Sequence, residues 1–116
     1  MTTSVRTKTG RVPLHAIRRV VHQIVQRFDP EQVILFGSHA YGHPREGSDV
    51  DLMVVMETDK RPVEQAIEIV CSLDYSFGVD LIVRTPAELR RRLALGDFFL
   101  QDVVGKGRTL YERAGS

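Results

Sequence analysis

Two short apolar runs constrain this chain more than anything else in it. They are "EQVILFG" (31–37) and, beyond a stretch punctuated by Gly and Pro, "SDVDLMVVME" (48–57). Each is too short for a buried helix and too continuous for a surface segment, so both read as strands of a buried sheet. The second run carries Asp49 and Asp51 where burial should begin. Side chains two apart on a strand project to the same face, so the two carboxylates leave the sheet together while Val50 and Leu52 enter the opposite layer. Two like charges side by side are costly there unless a counter-charge meets them.

A third run, "GVDLIVR" (78–84), repeats the pattern, with Asp80 interrupting it two residues after Gly78. Helical periodicity fills the intervals. Leu14, Ile17, Val21, Ile24 and Phe28 fall at spacings of 3, 4, 3 and 4, and Asp29-Pro30 stops that helix. Val63, Ala66, Ile67, Val70 and Leu73 mark a second amphipathic helix. Thr85-Pro86-Ala87-Glu88 is a helix start, with Thr as N-cap, Pro at the first position and Glu at the third, and Gly96 ends that helix near Leu95. "DFFLQDVV" suggests a further short helix, "GKGR" (105–108) a turn, and "RTLYE" a closing edge strand. The fold class is α/β (α+β), a small mixed β-sheet packed by helices. A flexible basic tail is expected at 1–11 and one domain over 12–116.

Composition narrows the partners. With 16 basic and 15 acidic residues the net charge is +1, which argues against nucleic acid as a partner. The basic residues are unevenly placed, since residues 1–28 contain six arginines or lysines and no acid. One cysteine, Cys71, leaves no disulfide framework or cysteine metal cluster. No apolar run approaches the ~18–20 residues that span a bilayer, so no membrane association is expected and a cytoplasmic protein is the default reading.

The acids suggest a chemistry. Carboxylates on Cα atoms ~6.5–7 Å apart can converge on a divalent ion, and Mg²⁺ is typically held by one or two carboxylates plus substrate phosphates. If the third strand lies beside the second, Asp80 completes a three-carboxylate cluster or takes a proton from an attacking hydroxyl. Gly37-Ser38 reads as a tight turn whose backbone N–H groups and hydroxyl face a phosphate. The chain has no Walker loop.

Gly37-Ser38, ten residues, Asp49-x-Asp51, then an Asp within a following strand resembles the nucleotidyltransferase superfamily that includes DNA polymerase beta. "FGSHAYG…SDVDLMVV" in a short chain is most similar to the minimal nucleotidyltransferases, the antitoxin halves of HEPN/MNT toxin–antitoxin pairs. The resemblance spans roughly residues 30–84. It implies that Gly37, Ser38 and Ser48 contact the nucleotide, that Asp49 and Asp51 bind Mg²⁺, and that Asp80 is the third acid of the catalytic, metal-binding set. It also implies AMP transfer from ATP, with a tyrosine of a HEPN-type ribonuclease toxin as acceptor and that toxin as a hetero-oligomeric partner. Tyr41 stands where many members of that family carry Arg. A non-catalytic antitoxin that masks its toxin, and transfer to a small molecule or an RNA end, stay open as alternatives.

Other residues get plainer readings. His39 and His43 are expected in an exposed loop, His15 and His22 on the outer side of the first helix, and Cys71 partly buried. Arg90, Arg91 and Arg92 read as a solvated helix face. Phe98, Phe99 and Leu100 are more consecutive apolar residues than one helix face buries, so one is expected at a partner surface.

Overall fold

The computed structural model describes residues 12–42, 44 and 47–114. The expected basic tail and His43 lie outside the described residues. The elements run α1 (Leu14–Phe28), β1 (Gln32–Phe36), α2 (Ser38–Tyr41), β2 (Val50–Val55), α3 (Pro62–Ser72), β3 (Val79–Arg84), α4 (Pro86–Ala94), α5 (Phe98–Lys106) and β4 (Arg108–Glu112). The four strands form one mixed sheet in the order β3-β2-β1-β4. β1 is antiparallel to β2 and β4, and β2 is parallel to β3 through the α3 crossover. The edge position of β4 agrees with the sequence.

Strand alternation builds two apolar layers. Val33, Leu35, Leu52, Val54, Leu81 and Val83 face α1 and α3, where Ile17, Val20, Val21, Ile24 and Ile69 meet them. Ile34, Met53 and Val55 face α4 and α5, where Leu89, Leu100 and Val103 meet them. Ile24 and Leu52 are fully buried, and each such side chain contributes about 1.5–3 kcal/mol by leaving water. Asp49, Asp51 and Asp80 share strand parity with Met53, Val55 and Ile82, so they belong to the α4/α5 face.

The helix ends follow local chemistry. Asp29 takes a left-handed conformation, φ 50°, and donates its N–H to the Val25 carbonyl at 3.1 Å to close α1. Arg113 then hydrogen-bonds the Asp29 carbonyl, which ties the end of β4 to this corner. The Thr85 hydroxyl accepts from the Glu88 N–H at 3.2 Å, as an N-cap should.

Four expectations give way. Val63 and Ile67 are exposed, because α3 turns Gln65 and Ile69 toward the sheet instead. Gln65 tolerates that burial by accepting from the Thr58 hydroxyl at 2.6 Å and donating to Glu68 at 2.9 Å. Gly105 and Lys106 are helical rather than part of a turn, since α5 runs on until Gly107 packs against Ile34 and Leu35. Cys71 is exposed on the outer side of α3. His39 is partly buried, with the Val12 N–H 3.5 Å from its Nε2, which turns its ring toward the start of α1 and away from the acids.

Candidate functional site

Sheet register brings the acids together. Asp51 stands opposite Asp80 in the parallel β2/β3 pair and opposite Phe36 in the antiparallel β1/β2 pair. Register partners point to the same side of a sheet, so Asp51, Asp80 and Phe36 share one face. Asp49 lies one residue before β2, held there as the Val50 N–H donates to the Gly78 carbonyl at 2.9 Å. The site is thus where β1 ends and β2 and β3 begin.

Two glycines make room for it. Gly37 has φ 74° and ψ −159°, a conformation essentially restricted to glycine. A Cβ on Gly37 would overlap Asp51 Oδ2 and lie 3.1 Å from its Cγ. A Cβ on Gly78 would overlap Asp49 Oδ1 and lie 3.0 Å from its Cγ. Each aspartate of the D-x-D pair therefore rests against a bare backbone, one on β1's end and one on β3's start. The cradle under Asp49 escaped the sequence reading, although a glycine two residues before Asp80 was a visible signal.

Among the described residues the site is short of positive charge. Burial, with the neighbouring Asp80 and Asp49 carboxylates adding to it, pushes the Asp51 pKa up to about 6. Among the described residues no Lys, Arg or His forms an ion pair with any of the three acids. The three carboxylates also do not close into a ready-made cage of three ligands. Two hard oxygen donors on cleared backbone, one of them exposed, fit Mg²⁺, which takes part of its shell from waters and phosphates.

The near wall comes from α2 and α5. Ser38 opens α2 and Ser48 immediately precedes Asp49, and both are partly buried. Tyr41, the last residue of α2, donates its hydroxyl to Asp102 Oδ2 at 3.1 Å, and Lys106 Nζ lies 3.2 Å from Asp102 Oδ1. The Phe99 ring stands edge-on to Phe36, with centroids 5.7 Å apart at 84°. Burial and the Asp102 carboxylate raise the Tyr41 pKa, so its hydroxyl keeps its proton. Sequence reasoning missed α5 as a wall, because the stripe Phe99, Asp102, Lys106 gains meaning only beside α2.

Residues 17–110 match the nucleotidyltransferase domain family. A Methanocaldococcus jannaschii protein, named as a candidate protein adenylyltransferase, is 28% identical over 98 residues, covering 83% of this chain and 95% of its own length. A candidate nucleotidyltransferase from Sulfolobus solfataricus shares the fold, with a TM-score of 0.62, 23% identity, and coverage of 89% of this chain and 83% of that one. So does a toxin–antitoxin crystallised with AMP-PNP, at a TM-score of 0.55 and 24% identity over 84% of this chain and 74% of that one. A toxin–antitoxin named MntA-HpeT gives 0.54 and 21%, covering 83% and 73%.

Proposed function

We propose that this chain, which belongs to the nucleotidyltransferase domain family, transfers AMP from ATP to a tyrosine hydroxyl of a HEPN-type ribonuclease toxin and so acts as its antitoxin. The observation that carries the reading is the pair of glycine cradles that hold Asp49 and Asp51 beside Asp80 with no neutralising partner among the described residues. Carboxylates are kept in that arrangement at a cost to the fold, which makes sense if a cation and phosphates complete it.

Asp49 and Asp51 would hold Mg²⁺, which when bound neutralises the triphosphate and draws electrons from the phosphorus under attack. Gly37 and Ser38 bind the phosphates through backbone N–H groups and the hydroxyl, and Ser48 supports the same end of the nucleotide. The acceptor hydroxyl attacks the α-phosphorus and its proton passes to a carboxylate oxygen of Asp80. The new O–P bond forms as the bond to the β-phosphate oxygen breaks, and pyrophosphate leaves. Asp51 and Asp80, level on adjacent strands, fix the direction of approach.

The named toxin–antitoxin relatives in fold support a toxin partner, and so does the surface. Phe98 is 84% exposed and Leu95 71%, at the α4/α5 corner next to the site wall. An apolar corner of this kind suits a protein acceptor better than a small molecule.

The test mixes the chain with a HEPN-type toxin, Mg²⁺ and ATP labelled on the α-phosphate. Label should appear on the toxin, and Asp49→Asn should abolish both labelling and neutralisation. Neutralisation that survives Asp49→Asn without label would replace transfer with simple masking.

A further inference from the structure

Tyr41 and Lys106 come from helices far apart in sequence, yet one carboxylate, Asp102, meets both. The Tyr41 hydroxyl lies 3.1 Å from Asp102 Oδ2 and Lys106 Nζ lies 3.2 Å from Asp102 Oδ1. A tyrosine on a helix reaches back toward the preceding turn, and here that turn is Gly37. Phe99, one turn before Asp102 on α5, packs edge-on against Phe36, the register partner of Asp51. The cluster therefore lies where α2, which follows the Gly37 turn, meets the α5 wall over the end of β1.

An exposed i,i+4 pair such as Lys106–Asp102 adds little to stability alone. Lys106 is also 70% exposed, so its ammonium is free to swing. What the arrangement provides is one hydroxyl donor and one ammonium donor converging on two oxygens of a single anion. A carboxylate takes both in this structure, and a phosphate group presents the same oxygens with more charge.

We propose that Tyr41 and Lys106 form a clamp for the polyphosphate end of the nucleotide, held ready by Asp102, whose carboxylate accepts the Tyr41 hydrogen bond and pairs with the Lys106 ammonium until phosphate oxygens take over both. The clamp rests on the nucleotidyltransferase reading for the identity of its ligand. It assigns α5 to the binding site and gives Asp102 an opposing role. Its negative charge keeps the donors aligned but competes with the arriving phosphates. Lys106 then stays near the pyrophosphate as its charge grows on departure.

The experiment measures binding of inorganic tripolyphosphate, ATP and AMP, each with Mg²⁺, by titration calorimetry. Lys106→Gln should weaken tripolyphosphate and ATP about tenfold or more and leave AMP unchanged. Tyr41→Phe should weaken them several-fold, whereas Asp102→Asn should tighten both. That opposite sign cannot come from a damaged fold. Lys60→Gln, which removes a lysine paired with Glu68 on α3, should change nothing. Unaltered tripolyphosphate binding in Lys106→Gln, an equal loss in Lys60→Gln, or no tripolyphosphate binding by the wild type overturns the clamp. Lys106-dependent tripolyphosphate binding without ATP binding or transfer would instead keep the clamp and overturn the proposed function.

Discussion

Gly78→Ala isolates the position of one carboxylate from the rest of the fold. Gly78 does not have positive φ, so alanine can take its backbone conformation. The atoms that a Cβ there would approach all belong to Asp49: Oδ1, Cγ at 3.0 Å and Cβ at 3.7 Å. To restore ordinary contact, the Asp49 oxygen must retreat by about 1 Å. Asp49 is exposed, so it can do this without disturbing the core. Replacing glycine at a compatible site stabilises by about 0.4–1 kcal/mol through the unfolded chain, which offsets much of the strain. The transferred group must meet its acceptor within a few tenths of an ångström, and a misplacement of about 1 Å can lower the rate by about a hundredfold. The expected result is thermal stability close to wild type and AMP transfer down about a hundredfold. Transfer within about threefold of wild type would show that Asp49 is not held by this cradle. A large fall in melting temperature would show that Gly78 serves the fold instead.

Four further outcomes follow from the structure. Gly37→Ala combines a conformation reserved for glycine with overlap on Asp51, so it should lose about 1–3 kcal/mol in chemical denaturation as well as activity. Asp51 has a folded pKa of about 6, raised from 3.8 by burial and by Asp80 and Asp49. Its protonated form therefore favours folding, and that stabilisation, complete below about pH 4, is lost as pH rises through 6. In metal-free buffer the melting temperature should drop across that window, and Asp51→Asn should remove that contribution. Mg²⁺ held by Asp51 as proposed would compete with the proton there, so added Mg²⁺ should raise the melting temperature at pH 7.5 and have far less effect at pH 5. Ile24→Ala, deep in the α1 layer, should cost about 2–5 kcal/mol while the surviving folded fraction keeps its ATP affinity.

Strands and acids were legible because they are local or periodic. Gly37 ends an apolar run, Asp49 and Asp51 interrupt another at a spacing of two, and Asp80 interrupts a third. The strand period then sets the face they share. The pairing of Asp51 with Asp80 was a conditional expectation that the parallel β2/β3 register satisfies. The α3 face was misread because Val63 and Ile67 look apolar, yet a helix at the edge of a small sheet buries only what touches it. Gln65 goes inside because Thr58 and Glu68 satisfy its amide, and no hydropathy pattern carries that information. The extent of α5 was misread for a related reason. Gly107, not Gly105, is the residue whose missing side chain lets the chain close on Ile34 and Leu35.

The opposition between stability and charge explains why these features sit together. β1 and β2 are the two central strands of the sheet, and Asp49 and Asp51 occupy one end of that centre, where backbone is most firmly fixed, with Asp80 level with Asp51 on the edge strand β3. Placing Asp51 there raises its pKa and weakens the folded state above pH 6, yet it also keeps the carboxylate from drifting toward solvent. The glycines at 37 and 78 complete the same trade. They give up side-chain packing and backbone restraint to let two carboxylates lie against main chain. α2 and α5 do the converse, offering a tyrosine and an exposed lysine around an anion the protein supplies itself. Under the proposed function, fixed negative charge on the sheet and adjustable positive charge on α5 would divide the site into a metal-facing half and a phosphate-facing half. If Asp51→Asn stabilises the metal-free protein and Asp102→Asn tightens polyphosphate binding, the two halves are independent. If either substitution produces both effects, the charges act as a single cluster and that division is wrong.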